Sequence, residues 1–380
     1  MRALAGIALS ATFLTAVAFI QPTKSSIDKD GLPTPLIPST YNYANPDLPA
    51  HYLTAELKRH DNTPADNPIT DAGATLGRVL FYDRRLSANN TKSCASCHIQ
   101  KHNFADPERR STGFEGLRTG LHAMSLTNVR YYESGHVFWT ERDRSLERQA
   151  IRPILDPVEL GTDSIPALAA KLNKTGFYPD LFRKAFGTPE ITSDRIARAI
   201  SQFERSLVSS NAKFDKAIAS PKPEEVFSEQ ELLGYAVFGG APKQLLERVN
   251  LDHIESMGCN ECHATSAFVL ENGPTNNGLN GGRGRFKVPS LRNIEVSAPY
   301  MHDGRFANLV EVTDHYMDNI QHGPDLDKRL RVGNSPSGDV ERFRRSATEQ
   351  DALIAFLKTL TDHEFLNAPK FSDPFNWPDN

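Results

Sequence analysis

All four cysteines of the chain are spent on one pentapeptide pattern used twice, Cys94-Ala95-Ser96-Cys97-His98 and Cys259-Asn260-Glu261-Cys262-His263. Two thiols three positions apart can form thioethers to the two vinyl groups of one porphyrin, and the adjacent His places an imidazole on the iron. A CxxC pair also serves dithiol redox centres and half zinc sites, and two of them could close one four-thiolate zinc site. Neither of those chemistries asks for a His directly after both pairs. The pattern therefore predicts two covalent haem c groups, one held by Cys94, Cys97 and His98 and the other by Cys259, Cys262 and His263. No cysteine remains for a disulfide. Haem iron has two axial positions, and the second decides the chemistry: an open one binds peroxide or oxygen, a filled one passes electrons. An enzyme and a non-catalytic dihaem electron-transfer cytochrome both stand open at this point.

The elements that must position these groups read as helices. Leu76, Val79 and Leu80 fall at i, i+3, i+4 just before the first motif, and Ser164 caps a stretch carrying Leu168 and Leu172. A longer helix opens at Thr192 or Ser193 with Ile196, Ile200, Phe203 and Leu207 on one face. Ser228 and Glu231 make a capping box for another, which stops at Gly239-Gly240, and a further one near Thr348 presents Leu353, Phe356, Leu357 and Leu360. Strand-type alternation is scarce, so the fold class is mainly α, with two cytochrome c-like haem domains packed against each other. A chain of 380 residues is long enough for that. Residues 66–220 form the domain of the first motif and 221–366 that of the second, joined at Pro221-Lys222-Pro223. Residues 22–65, rich in Pro, Asn and Asp, read as an extended segment, and 367–380 as a tail. No repeat is visible beyond the pentapeptide.

Residues 1–21 read as a secretory signal: Arg2 precedes an apolar run from Ala3 to Ile20, with Ala16-Val17-Ala18 as a small-x-small cleavage site. An uncleaved anchor is the competing reading, since the run is nearly long enough to span a bilayer. Both put the body outside the cytoplasm, in the periplasm. The net charge is −4 with Lys and Arg scattered, which gives no support to a nucleic-acid role.

The stretch from Arg285 to Gly304 (RFKVPSLRNIEVSAPYMHDG), Trp139 with Asp156-Pro157-Val158-Glu159-Leu160, and the paired motifs together resemble the bacterial dihaem cytochrome c peroxidase and MauG family, from about residue 66 to 365. The resemblance implies that the first haem is the peroxide site, that Trp139 lies between the haems, and that Glu159, twenty residues on, is the acid-base catalyst, with Gln149 and Pro153 at matching positions. The chemistry is sensible in itself: a carboxylate above the iron can take a proton from one peroxide oxygen and deliver it to the other. An isolated Pro-Val-Glu would be no more than a surface turn; the spacing to Trp139 gives it weight.

Two departures bear on the mechanism. Phe114 falls where the cytochrome-oxidising peroxidases carry a His that caps the first haem, which implies a first haem open at rest, as in MauG-like members. Fourteen residues beyond His302, where those peroxidases have a Met ligand and MauG-like enzymes a Tyr, stands Tyr316. It shares a helical face with Leu309 and Val312, whereas Met317 lies about 100° round the helix. A phenolate is a hard anionic donor that stabilises high iron oxidation states, so a His263 and Tyr316 haem suits storage of oxidising equivalents. The family's interdomain calcium maps to backbone carbonyls of Ser297 and Pro299, but His122 replaces the expected Asn, which leaves calcium open. Met257 stands where MauG has a surface Trp relay, so the exit route to a protein substrate differs. The expectation is a periplasmic peroxidase that reduces hydrogen peroxide with electrons from a cytochrome c, a cupredoxin or a protein substrate, leaning to the MauG-like side with high-valent haem. A homodimer is compatible with the sequence.

Overall fold

The computed structural model describes residues 26–37, 41–269 and 273–378; the signal read at residues 1–21 lies outside the described residues. Twelve α-helices are found among them: α1 (Ala55–Arg59), α2 (Asp71–Tyr82), α3 (Leu146–Leu155), α4 (Ile165–Asn173), α5 (Tyr178–Phe186), α6 (Ser193–Ser206), α7 (Lys213–Ala219), α8 (Glu229–Phe238), α9 (Lys243–Arg248), α10 (Leu309–Asp318), α11 (Ala347–Lys358) and α12 (His363–Asn367). Extended pairing among the described residues is confined to isolated bridges. The fold is mainly α.

The helices begin where side-chain oxygens can satisfy their first amide groups. Thr70 accepts from Gly73 N at the start of α2, and Thr192 from Arg195 N at the start of α6. Ser228 with Glu231 and Ser346 with Glu349 form reciprocal capping boxes on α8 and α11. Gly239, at φ 93°, then ends α8 in the left-handed conformation that a side chain would resist.

Each half is organised around one crossing of two helices. In the first, α2 crosses α6 so closely at Gly77 that a Cβ there would sit 1.9 Å from Ala199 O. In the second, α8 crosses α11 at Gly234, where a Cβ would sit 1.9 Å from Ala352 O. Phe203 and Phe356 are fully buried beside the two crossings, and truncating either to Ala would cost roughly 3–5 kcal/mol. The parallel continues. In each motif the His backbone N–H closes a turn onto the first Cys carbonyl at 2.9 Å (His98 to Cys94, His263 to Cys259). Phe104 and Phe268 follow with φ 54° and 55°, and Asn128 and Asn293 share φ 58°. Asn128 N bonds Leu207 O at 2.9 Å, and Asn293 N bonds Leu360 O at 3.0 Å. The repeat therefore extends well beyond the pentapeptide. It lies in backbone conformation and helix contact, which sequence comparison of the two halves does not show.

A large apolar core fills the first half, around Leu76, Leu80, Phe81, Ile196 and Phe203. It also takes in Phe365, Phe371, Phe375 and Trp377, so residues 363–377 pack on the opposite half from the motif that precedes them. The early segment is tied down as well. Asp28 meets buried Arg85 at 2.6 Å, and Tyr43 Oη donates to Lys370 O at 2.5 Å. Tyr52 sits in a small cluster with Tyr131, Tyr132, Ala267 and Val269 that bridges the halves. Beside it the buried guanidinium of Arg292 grips both oxygens of Asp215 at 2.6 and 2.7 Å.

Candidate active site

The seam between the halves holds two clefts. The first, with about 1230 Å³ of empty space, is lined by Cys97 and His98 on one hand and by Trp139, Gln149, Pro153 and Glu159 on the other. His98 is oriented by its own loop, with Nδ1 2.8 Å from Phe104 O, which leaves Nε2 as the nitrogen able to bind a metal. Gln149 and Pro153 stand one turn apart on α3, whose N-cap Ser145 accepts from Arg148 N. Past its end the chain folds back on Asp156, whose Oδ1 accepts from Val158 N (2.8 Å) and Glu159 N (3.2 Å). Phe114 N then donates to Glu159 O at 3.0 Å. Glu159 is thus fixed by backbone bonds on both sides.

Burial pushes the Glu159 carboxyl up to about 7; the nearby Asp156 carboxylate adds to the rise and Arg142 opposes it. A carboxyl that titrates near neutrality can both accept and release a proton there. Gln149 Oε1 is buried in the same cleft without a hydrogen-bond partner, an unsatisfied acceptor where a ligand would sit.

Trp139 lines both clefts. Its indole N–H donates to His122 O at 2.8 Å, and its carbonyl accepts from Lys287 N at 2.8 Å. The loop that carries it is tight: Phe138 and Glu141 hold φ 66° and 53°, a costly region for side chains of that size. Val137 pairs with Asp143 to close the loop. On the far side the Trp139 ring meets His302 edge to face at 6.4 Å, and His302 stacks on Phe286 at 3.7 Å.

The second cleft, of about 1420 Å³, is lined by Cys259, Cys262, His263 and Tyr316 together with Met257 and Met301. Burial holds the His263 imidazole neutral, down at about 4, a state suited to metal ligation. Tyr316 faces the cleft from α10, while Met317 is packed in the apolar core and lies off the cleft wall. Burial pushes the Tyr316 phenol well above its usual range, offset by the Asn277 side chain; a bound ferric ion would reverse that, as cations do for their ligands.

Among the described residues no three His, Cys, Asp or Glu converge as a bare metal-ion site, so the two CxxC pairs do not close one zinc site. The residues fit two haems instead, each with its own cleft. Phe114 stands elsewhere than expected: its ring packs over Gly161 and does not line the first cleft. The one histidine besides His98 on that lining is His122, whose Nε2 bonds Asp106 O at 2.8 Å. Ser297 and Pro299 line the second cleft, with the Ser297 hydroxyl donating to Asn293 O and accepting from Asn103 Nδ2, both at 2.9 Å. Sequence reasoning missed Lys287 and Arg142 on the first cleft and Asn277 and Met301 on the second. Lys287 lies inside the quoted Arg285 to Gly304 stretch, but a lone Lys carries no periodic or spacing signal.

The family model described as Di-haem cytochrome c peroxidase matches residues 71–222 and 243–365. The methylamine utilization protein MauG of Methylophilus methylotrophus is 31% identical over 344 residues, covering 86% of this chain and 94% of the relative. The cytochrome c551 peroxidase of Nitrosomonas europaea is 32% identical over 326 residues, covering 81% of this chain and 84% of the relative. The crystal structure of a MauG-like protein associated with microbial copper homeostasis superposes with a TM-score of 0.67 at 29% identity, covering 87% of this chain and 97% of the other. With both CxxCH motifs, Trp139, Glu159 and Tyr316 inside the matched ranges, the chain belongs to the di-haem cytochrome c peroxidase family and is a haem oxidoreductase acting on peroxide.

Proposed function

We propose that the chain is a periplasmic, MauG-like dihaem peroxidase that reduces hydrogen peroxide in the His98 cleft and draws its electrons from a protein. The observation that carries this reading is Glu159, buried on the wall of that cleft with its carboxyl held near 7. Cys94 and Cys97 would hold the first haem through thioethers and His98 Nε2 its iron; Cys259, Cys262, His263 and Tyr316 would hold the second. When bound, haem supplies an iron that accepts a peroxide oxygen and takes up oxidising equivalents. The protein's part is protonic and positional. Glu159 would take a proton from one oxygen of hydrogen peroxide and return it to the other, so that the latter could leave as water. Gln149 Oε1 accepts a hydrogen bond from peroxide or an attendant water. Trp139, present on both cleft walls, would lie between the two haems as a path for oxidising equivalents.

The donor is a redox protein or an oxidisable side chain on a partner. Relatives of both kinds of name, a cytochrome c551 peroxidase and MauG, support that class. Tyr316 on the second cleft favours the MauG-like side, because a phenolate lowers a haem's potential and poorly suits it to accept electrons from an ordinary cytochrome. For calcium, the Ser297 and Pro299 carbonyls stay the candidate donors, with His122 offering nitrogen where a hard oxygen donor is wanted. Electron paramagnetic resonance of the resting holoenzyme tests the proposal. One high-spin ferric signal that changes on peroxide addition is expected beside one low-spin signal. Two low-spin signals indifferent to peroxide would make the chain an electron carrier.

A further inference from the structure

Lys287 is a buried cation that the peroxide chemistry leaves unused. It is 7% exposed and lines the first cleft. Among the described residues no carboxylate comes within ion-pair distance of it, and Nζ rests 4.4 Å from the Tyr132 ring centroid. An ammonium withdrawn from water without a counter-ion is costly. Two carboxyl groups sit at longer range, and neither forms an ion pair with it. Glu141 accepts a hydrogen bond from Tyr132 Oη, and Glu204 is buried with its carboxyl pushed up to about 8, hence mostly uncharged near neutral pH. The other cation on this cleft, Arg142, is exposed on the rim with its guanidinium 4.1 Å from the Phe138 ring centroid. Backbone contact fixes where Lys287 stands: its N–H bonds Trp139 O, so it belongs to the wall on which Trp139 faces both clefts.

We propose that the Lys287 ammonium pairs with a propionate of the first haem and, as a fixed positive charge, raises that haem's potential above that of the second. Haem brings two carboxylates into the cleft and thereby supplies the missing counter-ion. A cation stabilises the reduced haem, which carries one more negative charge than the oxidised one. The effect is local to the first cleft, because Lys287 does not line the second. Electrons arriving at either haem are then drawn to the one where peroxide binds.

The inference rests on the His98 cleft holding haem and is independent of what Glu159 does. Spectroelectrochemical titration of the holoenzyme tests it with Lys287→Met and Lys287→Arg. In the Met variant the oxidised-to-reduced ratio of the first haem at a fixed potential should rise about tenfold, a midpoint about 59 mV more negative for one electron. The second haem should not move, and Arg should restore the wild-type value. An unmoved first haem, or an equal shift of both, overturns the proposal. If the Met variant fails to load haem, Lys287→Gln takes its place: a shift in Gln absent from Arg supports the pairing, and equal behaviour of the two refutes it. Wild-type protein without haem at Cys94 and Cys97 would instead sink the proposed function, so the two failures are told apart.

Discussion

Replacing Glu159 by Gln keeps the shape of the side chain and removes its capacity to take a proton. The carboxyl titrates near 7 because burial and Asp156 disfavour its charged form, so about half of it is ionised at pH 7 and about a tenth at pH 6. If that ionised form is the base, the second-order rate of the peroxide-induced spectral change at the first haem rises about tenfold per pH unit below 7 and flattens above. The Gln variant should lose the pH dependence and be slower by about 10²–10⁴-fold at pH 8, the usual worth of a positioned general base. Asp156→Asn removes the neighbouring negative charge while its amide oxygen can still accept from Val158 N and Glu159 N. Its profile should move to lower pH. Stopped-flow absorption in the haem bands reads all three proteins. An unchanged rate in Glu159→Gln, or a wild-type profile flat between pH 5 and pH 8, would remove Glu159 from the proton transfer.

Tyr316→Phe should convert the second haem from low-spin to high-spin in resonance spectra and raise its potential, leaving the first haem's peroxide response in place; an unchanged second signal would assign that ligand to Met257 or Met301, which also line the cleft. Asp215→Asn breaks the buried pair with Arg292 and should cost about 3–5 kcal/mol in denaturant unfolding. The pair also fixes an acid limit: Arg292 holds the Asp215 carboxyl down at about 2, so its contribution is full above the unfolded value of 3.8 and is lost as pH falls through about 2. Gly77→Ala should destabilise by about 1–3 kcal/mol, since the added Cβ meets Ala199 O, and Gly234→Ala should do the same in the other half. Exhaustive chelation should leave the unfolding midpoint and the peroxide response unchanged; a loss restored by calcium would put a cation beside Ser297 and Pro299.

Much of the frame was legible because capping and helical periodicity are local signals. Ser228 with Glu231 marked α8 to the residue, and Ile196, Ile200 and Phe203 marked the inner face of α6. The start of α11, read near Thr348, falls at Ala347, with Ser346 as its cap. The two CxxCH motifs were legible for a different reason: their spacing along the chain is the one a porphyrin's two vinyl groups and iron would demand. Helix α3 was not read at all, because Pro153 within it argues against a helix in any single-sequence view. Phe114 was misplaced for want of a local constraint, since its position depends on Gly161, 47 residues further on. Lys287 was invisible for the same reason, because its burial is created by loops from the other half of the chain.

The packing of residues 363–377 sets an order of events. Phe365, Phe371, Phe375 and Trp377 complete a core whose other members begin at Tyr43, and a chain threaded out amino end first cannot close that core until residue 377 has emerged. Cys94 and Cys97 therefore lie in an unfinished domain until the last residues of that core are in place. A shortened chain stopped at residue 360 would keep both attachment motifs yet leave the earlier one in a domain unable to finish folding.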